Sequence, residues 1–188
     1  MKIGLYFGSF NPIHNGHLAI AQFLHEKELF DQIWLVVSPN NPLKDKEELW
    51  NENDRLSMVK LAIKDLPFLY ACDVEFSLTR PSYTIDTLHY LEKNYPDNQF
   101  SLILGADNME NFHKWKNYEE ILDRYTIYVY PRSHDITGEM VQHPHIHYLN
   151  APLLPISATG VRNLLQLNQP VEDYLPASVI DFLARRGN

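Results

Sequence analysis

The segment Gly8-Ser9-Phe10-Asn11-Pro12-Ile13-His14-Asn15-Gly16-His17 gathers the residues best suited to chemistry. It follows Lys2 to Phe7, which reads as a strand, and precedes Leu18 to Lys27, which reads as a helix. Gly8 permits a turn with no Cβ in the way. Pro12 stiffens the loop. The N–H groups at the helix start form an anion site. His14 and His17 are three residues apart and share one face of a helical turn. Two imidazoles at the positive end of a helix can donate hydrogen bonds to phosphate oxygens. A polar loop with a capping histidine is the plainer alternative. The pattern is neither a Walker A loop nor a dinucleotide fingerprint.

A second cluster lies far along the chain, in Ile156-Ser157-Ala158-Thr159-Gly160-Val161-Arg162. A Ser-x-Thr pair opens a helix, and Arg162 follows one turn later. Hydroxyls and N–H groups at a helix start can hold phosphate oxygens, and an arginine adds a permanent cation. An ordinary N-cap with a surface arginine is the other reading.

The elements that must position these groups alternate between strand and helix. Gln32 to Val37 and Phe100 to Leu104 are near-continuous apolar runs, as expected of parallel strands buried on both faces. Phe68 to Phe76 has room for a short strand, and Thr126 to Tyr130 reads as another. Helices are expected over Asp54 to Ile63, Thr84 to Lys93 with Ser82 as cap, Glu119 to Arg124, Ala158 to Leu167 with Ser157 as cap, and Pro176 to Arg185. The β-α-β-α order predicts an α/β fold: a mostly parallel sheet with helices on both faces. The 188 residues fit one domain, and no linker divides them. Ligands in such folds bind at the carboxyl ends of the strands, which selects residues 8–17, 38–44 and 105–115.

Gly8-x-Phe10-x-Pro12-x-His14-x-Gly16-His17 resembles the GxFxPxHxGH signature of the nucleotidyltransferase superfamily, complete at its fixed positions. Ser157, Thr159 and Arg162 fall where that superfamily has its ISxTxxR element. The resemblance implies a Rossmann-like sheet, with ATP bound at Gly8, Ser9 and Phe10 and with His14 and His17 aimed at the triphosphate. Lys44, Arg132 and Arg162 are then candidate clamps on the pyrophosphate. Mg²⁺ is expected with ATP, held mainly by phosphates and water, and no dedicated metal cage is visible. Gly105 and Asp107 end a buried strand. Asp107 can meet a ribose hydroxyl or a metal-bound water of ATP, or it can cap a helix.

Two segments bear on the acceptor. Arg80-Pro81-Ser82-Tyr83-Thr84-Ile85-Asp86-Thr87-Leu88 resembles the SYTxDTL segment of bacterial nicotinate-nucleotide adenylyltransferases. Gly105-Ala106-Asp107 with Trp115 resembles their GxD…W segment. In that family Trp115 would stack on the pyridine ring, and main-chain N–H groups near Thr84 and at Lys116 would bind the carboxylate. Nicotinate mononucleotide is the acceptor so implied. The same chemistry on nicotinamide mononucleotide or phosphopantetheine, and a non-catalytic nucleotide-binding module, are the rivals. The chain departs from the family pattern at Asn11, often Asp, at Leu43 beside Lys44, often His, and at Ala158, often Ser. Glu75 and Arg80 read as an ion pair bracing this loop, and Asp86 as a helical surface residue.

The remaining features narrow the setting. A formal net charge of −8 argues against a nucleic-acid binder, yet leaves room for a local cationic pocket. Cys72, the single cysteine, reads as a small buried hydrophobe. The apolar run ending at Gly8-Ser9 is too short for a signal peptide, and no stretch approaches the ~20 apolar residues of a membrane span. A cytoplasmic protein without a membrane partner is the expectation. His143-Pro144-His145-Ile146-His147 looks like a metal stripe if extended. No acid or cysteine lies near it in sequence, and Pro144 suggests an edge or loop.

Overall fold

The computed structural model describes residues 1–39, 49–132, 142–153 and 155–186. Lys44 and Leu43 lie outside the described residues. The element order is β1 (Lys2–Gly8), α1 (Asn15–Glu26), β2 (Gln32–Val37), α2 (Glu52–Ala62), β3 (Leu69–Cys72), α3 (Thr84–Asn94), β4 (Gln99–Gly105), α4 (Ala106–Met109), α5 (Tyr118–Arg124), β5 (Thr126–Tyr130), β6 (Ile146–Tyr148), α6 (Ala158–Gln166) and α7 (Ala177–Arg186). Short 3₁₀ turns span Val74–Phe76 and Phe112–Lys114.

The six strands form one sheet in the order β3-β2-β1-β4-β5-β6. Every neighbouring pair is parallel. This is the doubly wound arrangement, with its switch point between β1 and β4. Alternation along the strands sends side chains to two cores. Ile33, Leu35 and Val37 of β2 pack with Ile20 and Leu24 of α1, Met58 and Val59 of α2, and Val179 of α7. Trp34 and Val36 turn the other way, with Ile85, Leu88 and Leu91 of α3 and Ile121 of α5. Helices therefore cover both faces, as the alternating pattern implies.

Several boundaries differ from the pattern for local reasons. Helix α1 begins at Asn15 rather than Leu18, because His14 occupies the N-cap. The apolar stretch after Phe68 pairs with β2 only over Leu69–Cys72, then tightens into the 3₁₀ turn at Val74. Tyr83, and not Ser82, is the N-cap of α3. Ser157 does cap α6, its Oγ accepting the Gly160 N–H at 3.0 Å. Strand β6 has no clear sequence signature and is held by its pairing with β5.

The three stripe histidines do not share one strand face. Only His147 lies in β6, where it stacks on Tyr128 at 5.4 Å. His145 bonds through Nδ1 to the Leu122 carbonyl at 2.7 Å, and its N–H donates to His143 Nδ1 at 3.3 Å. Among the described residues no group of three or more His, Cys, Asp or Glu side chains could hold a metal ion. No helix among them is long and apolar enough to cross a membrane.

Candidate active site

A cavity of about 690 Å³ opens at the carboxyl ends of the strands. That volume is ordinary for a small-molecule site. The loop after β1, the start of α3, the segment after β4 and the start of α6 all line it. Gly8, Ser9, Phe10, His14, His17, Thr84, Asp107, Trp115, Lys116, Arg132, Ser157, Thr159 and Arg162 all face it. Gly105 does not. A Cβ there would collide with Asp107 and come within 2.9 Å of Arg132 Nε, so glycine lets these two side chains approach β4 closely.

The two histidines hold different positions. The His14 N–H donates to His17 Nδ1 at 3.2 Å, which closes the start of α1. The capping reading and the phosphate-donor reading of His17 are therefore compatible. With Nδ1 accepting, the ring proton resides on Nε2, which becomes the donor edge. The two rings stack at 3.7 Å. Phe10 supports them, 5.0 Å edge-on from His17, with a left-handed φ of 45°. Strained backbone of this kind concentrates at functional loops. Gly16 leaves room for the pair, since a Cβ there would sit 2.9 Å from His14 Nδ1.

Burial, reinforced by the nearby Arg132 charge, pushes His14 down to about 4 from its ordinary 6.5. The ring is neutral at physiological pH, and its buried Nδ1 meets no hydrogen-bond partner among the described residues. Between pH 6.5 and 4 the unfolded chain binds a proton that the folded chain refuses. Stability should therefore fall as pH drops through this window, by about 2 kcal/mol between pH 7 and 5 from this group. Thermal unfolding at both pH values tests this. His14→Asn should flatten the dependence, and an unchanged slope would show that other groups cause it.

Arg132 forms the cationic floor. It donates to Tyr130 Oη at 3.0 Å and lies 3.4 Å from Asp107. Tyr6 Oη in turn donates to Tyr130 Oη at 3.0 Å. Asp107 is thus an ion-pair partner rather than a helix cap, because Gly105 occupies the N-cap of α4. Arg162, also in the cavity lining, donates to the Asn11 carbonyl at 3.0 Å and to Thr159 Oγ1 at 3.4 Å. The second motif therefore touches the first. Asn11 Oδ1 accepts the Trp50 N–H at 3.1 Å, a task that needs only an oxygen and is open to Asn and Asp alike.

The acceptor side departs further from expectation. Glu75 does not pair with Arg80, which instead binds Glu52 at 2.7 Å. Glu75 is 3% exposed and accepts hydrogen bonds from Ser82 at 3.2 Å and Thr87 at 2.9 Å. Burial raises its pKa against those bonds. Asp86 holds Lys116 Nζ at 2.9 Å, and that ammonium lies 4.9 Å from the Tyr83 ring centre. Trp115 leans on Phe112, ring centres 5.2 Å apart. Arg55 was invisible as a site residue: it reads as a polar helix position, yet it is wholly buried.

The geometry has counterparts among known proteins. The family model described as cytidylyltransferase-like matches residues 5–164.

The chain belongs to the cytidylyltransferase-like family.

It is 48% identical over 185 residues to a probable nicotinate-nucleotide adenylyltransferase of Flavobacterium johnsoniae, covering 97% of this chain and 96% of the relative. A protein of the same description from Cytophaga hutchinsonii is 46% identical, with 99% and 97% covered. The fold matches that of a Plasmodium falciparum nicotinic acid mononucleotide adenylyltransferase complexed with NaAD, with a TM-score of 0.80 at 20% identity, covering 98% of this chain and 95% of that one. The resemblance seen in the motifs and the α/β fold they imply both stand.

Proposed function

We propose that the chain transfers AMP from ATP to nicotinate mononucleotide, releasing pyrophosphate and forming nicotinate adenine dinucleotide. The observation that carries this reading is that both phosphate motifs, Thr84 and Trp115 line one cavity. Near-full-length relatives of that description support it.

The acceptor phosphate has a second pKa near 6 and is largely ionised at neutral pH. One of its oxygens attacks the α-phosphorus. A P–O bond forms there as the bond to the β-phosphate bridge oxygen breaks, and the electron pair leaves with pyrophosphate. No general base is required, so positioning and charge neutralisation do the work. His17 supplies an Nε2–H donor whose tautomer is fixed by the cap. His14, a neutral imidazole stacked on the His17 ring, lines the same cavity beside it. Arg132 and Arg162, both in the cavity lining, add cationic charge for the triphosphate, and the starts of α1 and α6 add N–H groups. Mg²⁺, carried by the phosphates and water, would neutralise further charge. The donor set fits that arrangement, because Asp107 is the lining carboxylate with exposed oxygens and Glu75 is engaged with hydroxyls.

Trp115 offers an aromatic face to the flat pyridine ring. Thr84 is the first residue of α3, so its N–H lacks an intrahelical acceptor and suits a carboxylate. A carboxamide would point a donor at a donor there. Trp115→Ala should raise the KM for nicotinate mononucleotide about tenfold while leaving that for ATP within twofold, since an aromatic stack is worth roughly 1 kcal/mol beyond its area. Equal rises for both substrates would place Trp115 elsewhere. ATP labelled at the α-phosphorus tests the reaction itself. Label in the dinucleotide is expected, and label in pyrophosphate or inorganic phosphate would refute adenylyl transfer.

A further inference from the structure

Arg55, on α2, is wholly buried, and its acceptors are main-chain carbonyls: Ser9, Ser38 at 2.8 Å, Pro39 at 3.0 Å and Trp50 at 3.0 Å. Apolar side chains would fill such a place at less desolvation cost. What the guanidinium adds is a grip on backbone. The Ser9 carbonyl belongs to the peptide that precedes Phe10. One residue beyond Phe10, the Asn11 carbonyl accepts from Arg162 at 3.0 Å. Phe10 therefore stands between two carbonyls that arginines hold. It is also the loop residue with a left-handed φ of 45°. A bulky side chain keeps that conformation only where its surroundings impose it. The Phe10 ring is buried, edge-on to Tyr6 at 5.8 Å and to His17 at 5.0 Å. A relaxed backbone at Phe10 would carry the ring away from His17. The bond from the His14 N–H to His17 Nδ1 depends on that ring staying in place.

We propose that Arg55 is a positioning residue for His17: by holding the Ser9 carbonyl it fixes the left-handed turn at Phe10, and so the ring against which His17 rests. Its effect on rate rests on the adenylyl-transfer reading above. Arg55 is absent from the described cavity lining, so it acts through the loop and not on the reacting atoms. A misplacement of about 1 Å can cost on the order of 10²-fold in rate. Lost alignment lowers kcat, whereas lost uniform binding raises KM.

Arg55→Lys keeps the charge, but one ammonium cannot reproduce the planar fork that reaches these carbonyls. It should lower kcat about tenfold or more, with both KM values within about threefold. Long-range nitrogen–proton NMR spectra of the substrate-free protein supply a second readout. The His17 imidazole should be a single Nε2–H tautomer in the wild type and a mixture in Arg55→Lys. Phe10→Leu removes the supporting ring and should produce both effects. The double variant should fall little further than the worse single, because both changes cut one path. Full kcat in Arg55→Lys would overturn the proposal, as would lowered kcat with an unchanged His17 signal, or losses that multiply in the double variant. Should Arg55→Lys fail to fold, Phe10→Leu decides, and wild-type kcat and tautomer there would overturn the proposal. An inactive wild-type protein would instead overturn the functional reading, and the tautomer measurement would still decide the role of Arg55.

Discussion

His17→Ala lowers kcat on the order of 10²-fold or more while the protein stays folded. The expected loss follows from the fixed tautomer. His17 Nδ1 is occupied by the His14 N–H at 3.2 Å, so the Nε2–H is the part of the ring that can meet charge developing on the phosphates. Removing the ring also removes a cap acceptor, at a stability cost of about 1 kcal/mol. His17→Asn separates the two effects. Asn keeps an oxygen close to the Nδ1 position and has nothing where Nε2 sits. It should recover most of the stability and little of the rate. Near-normal turnover in either variant would remove His17 from the transition state.

Arg162→Ala should lower kcat/KM for ATP on the order of 10²-fold, the usual scale for losing one preorganised donor. The residue combines two tasks. Its guanidinium adds a delocalised cation to the cavity, and its bond to the Asn11 carbonyl ties α6 to the loop after β1 across 151 residues of sequence. Arg162→Lys retains the charge and loses the fork, so about a tenfold deficit should remain. Initial rates against ATP concentration for the three proteins provide the check. Full recovery with lysine would mean that charge alone matters and that the tie to Asn11 is dispensable.

How far the sequence foretold the site depended on how local each signal was. Gln32 to Val37 and Phe100 to Leu104 were legible as strands because burial on both faces leaves an unbroken apolar run. The histidine pair and the Ser157–Arg162 turn were legible because strand, turn and helix start lie within a few residues of each other. Arg55 was not. On α2 it neighbours Leu56 like any polar helix residue, and its carbonyl partners at Ser9 and Ser38 lie far off in sequence. Glu75 misled for the same reason. Arg80 is near in sequence, but the 3₁₀ turn at Val74–Phe76 aims the carboxylate inward to Ser82 and Thr87, while Arg80 reaches Glu52. Strand β6 was unreadable because pairing with β5, and not its own composition, holds its three residues.

The acceptor assignment is the centre of the account. It is tested most directly by pyrophosphate release with ATP and Mg²⁺, comparing nicotinate mononucleotide, nicotinamide mononucleotide and phosphopantetheine as acceptors. Rapid release with nicotinate mononucleotide and weak release with the other two is the predicted result. Equal or faster release with either alternative would contradict the pocket built around Thr84 and Trp115, and no release with any of the three would contradict adenylyl transfer to these acceptors altogether.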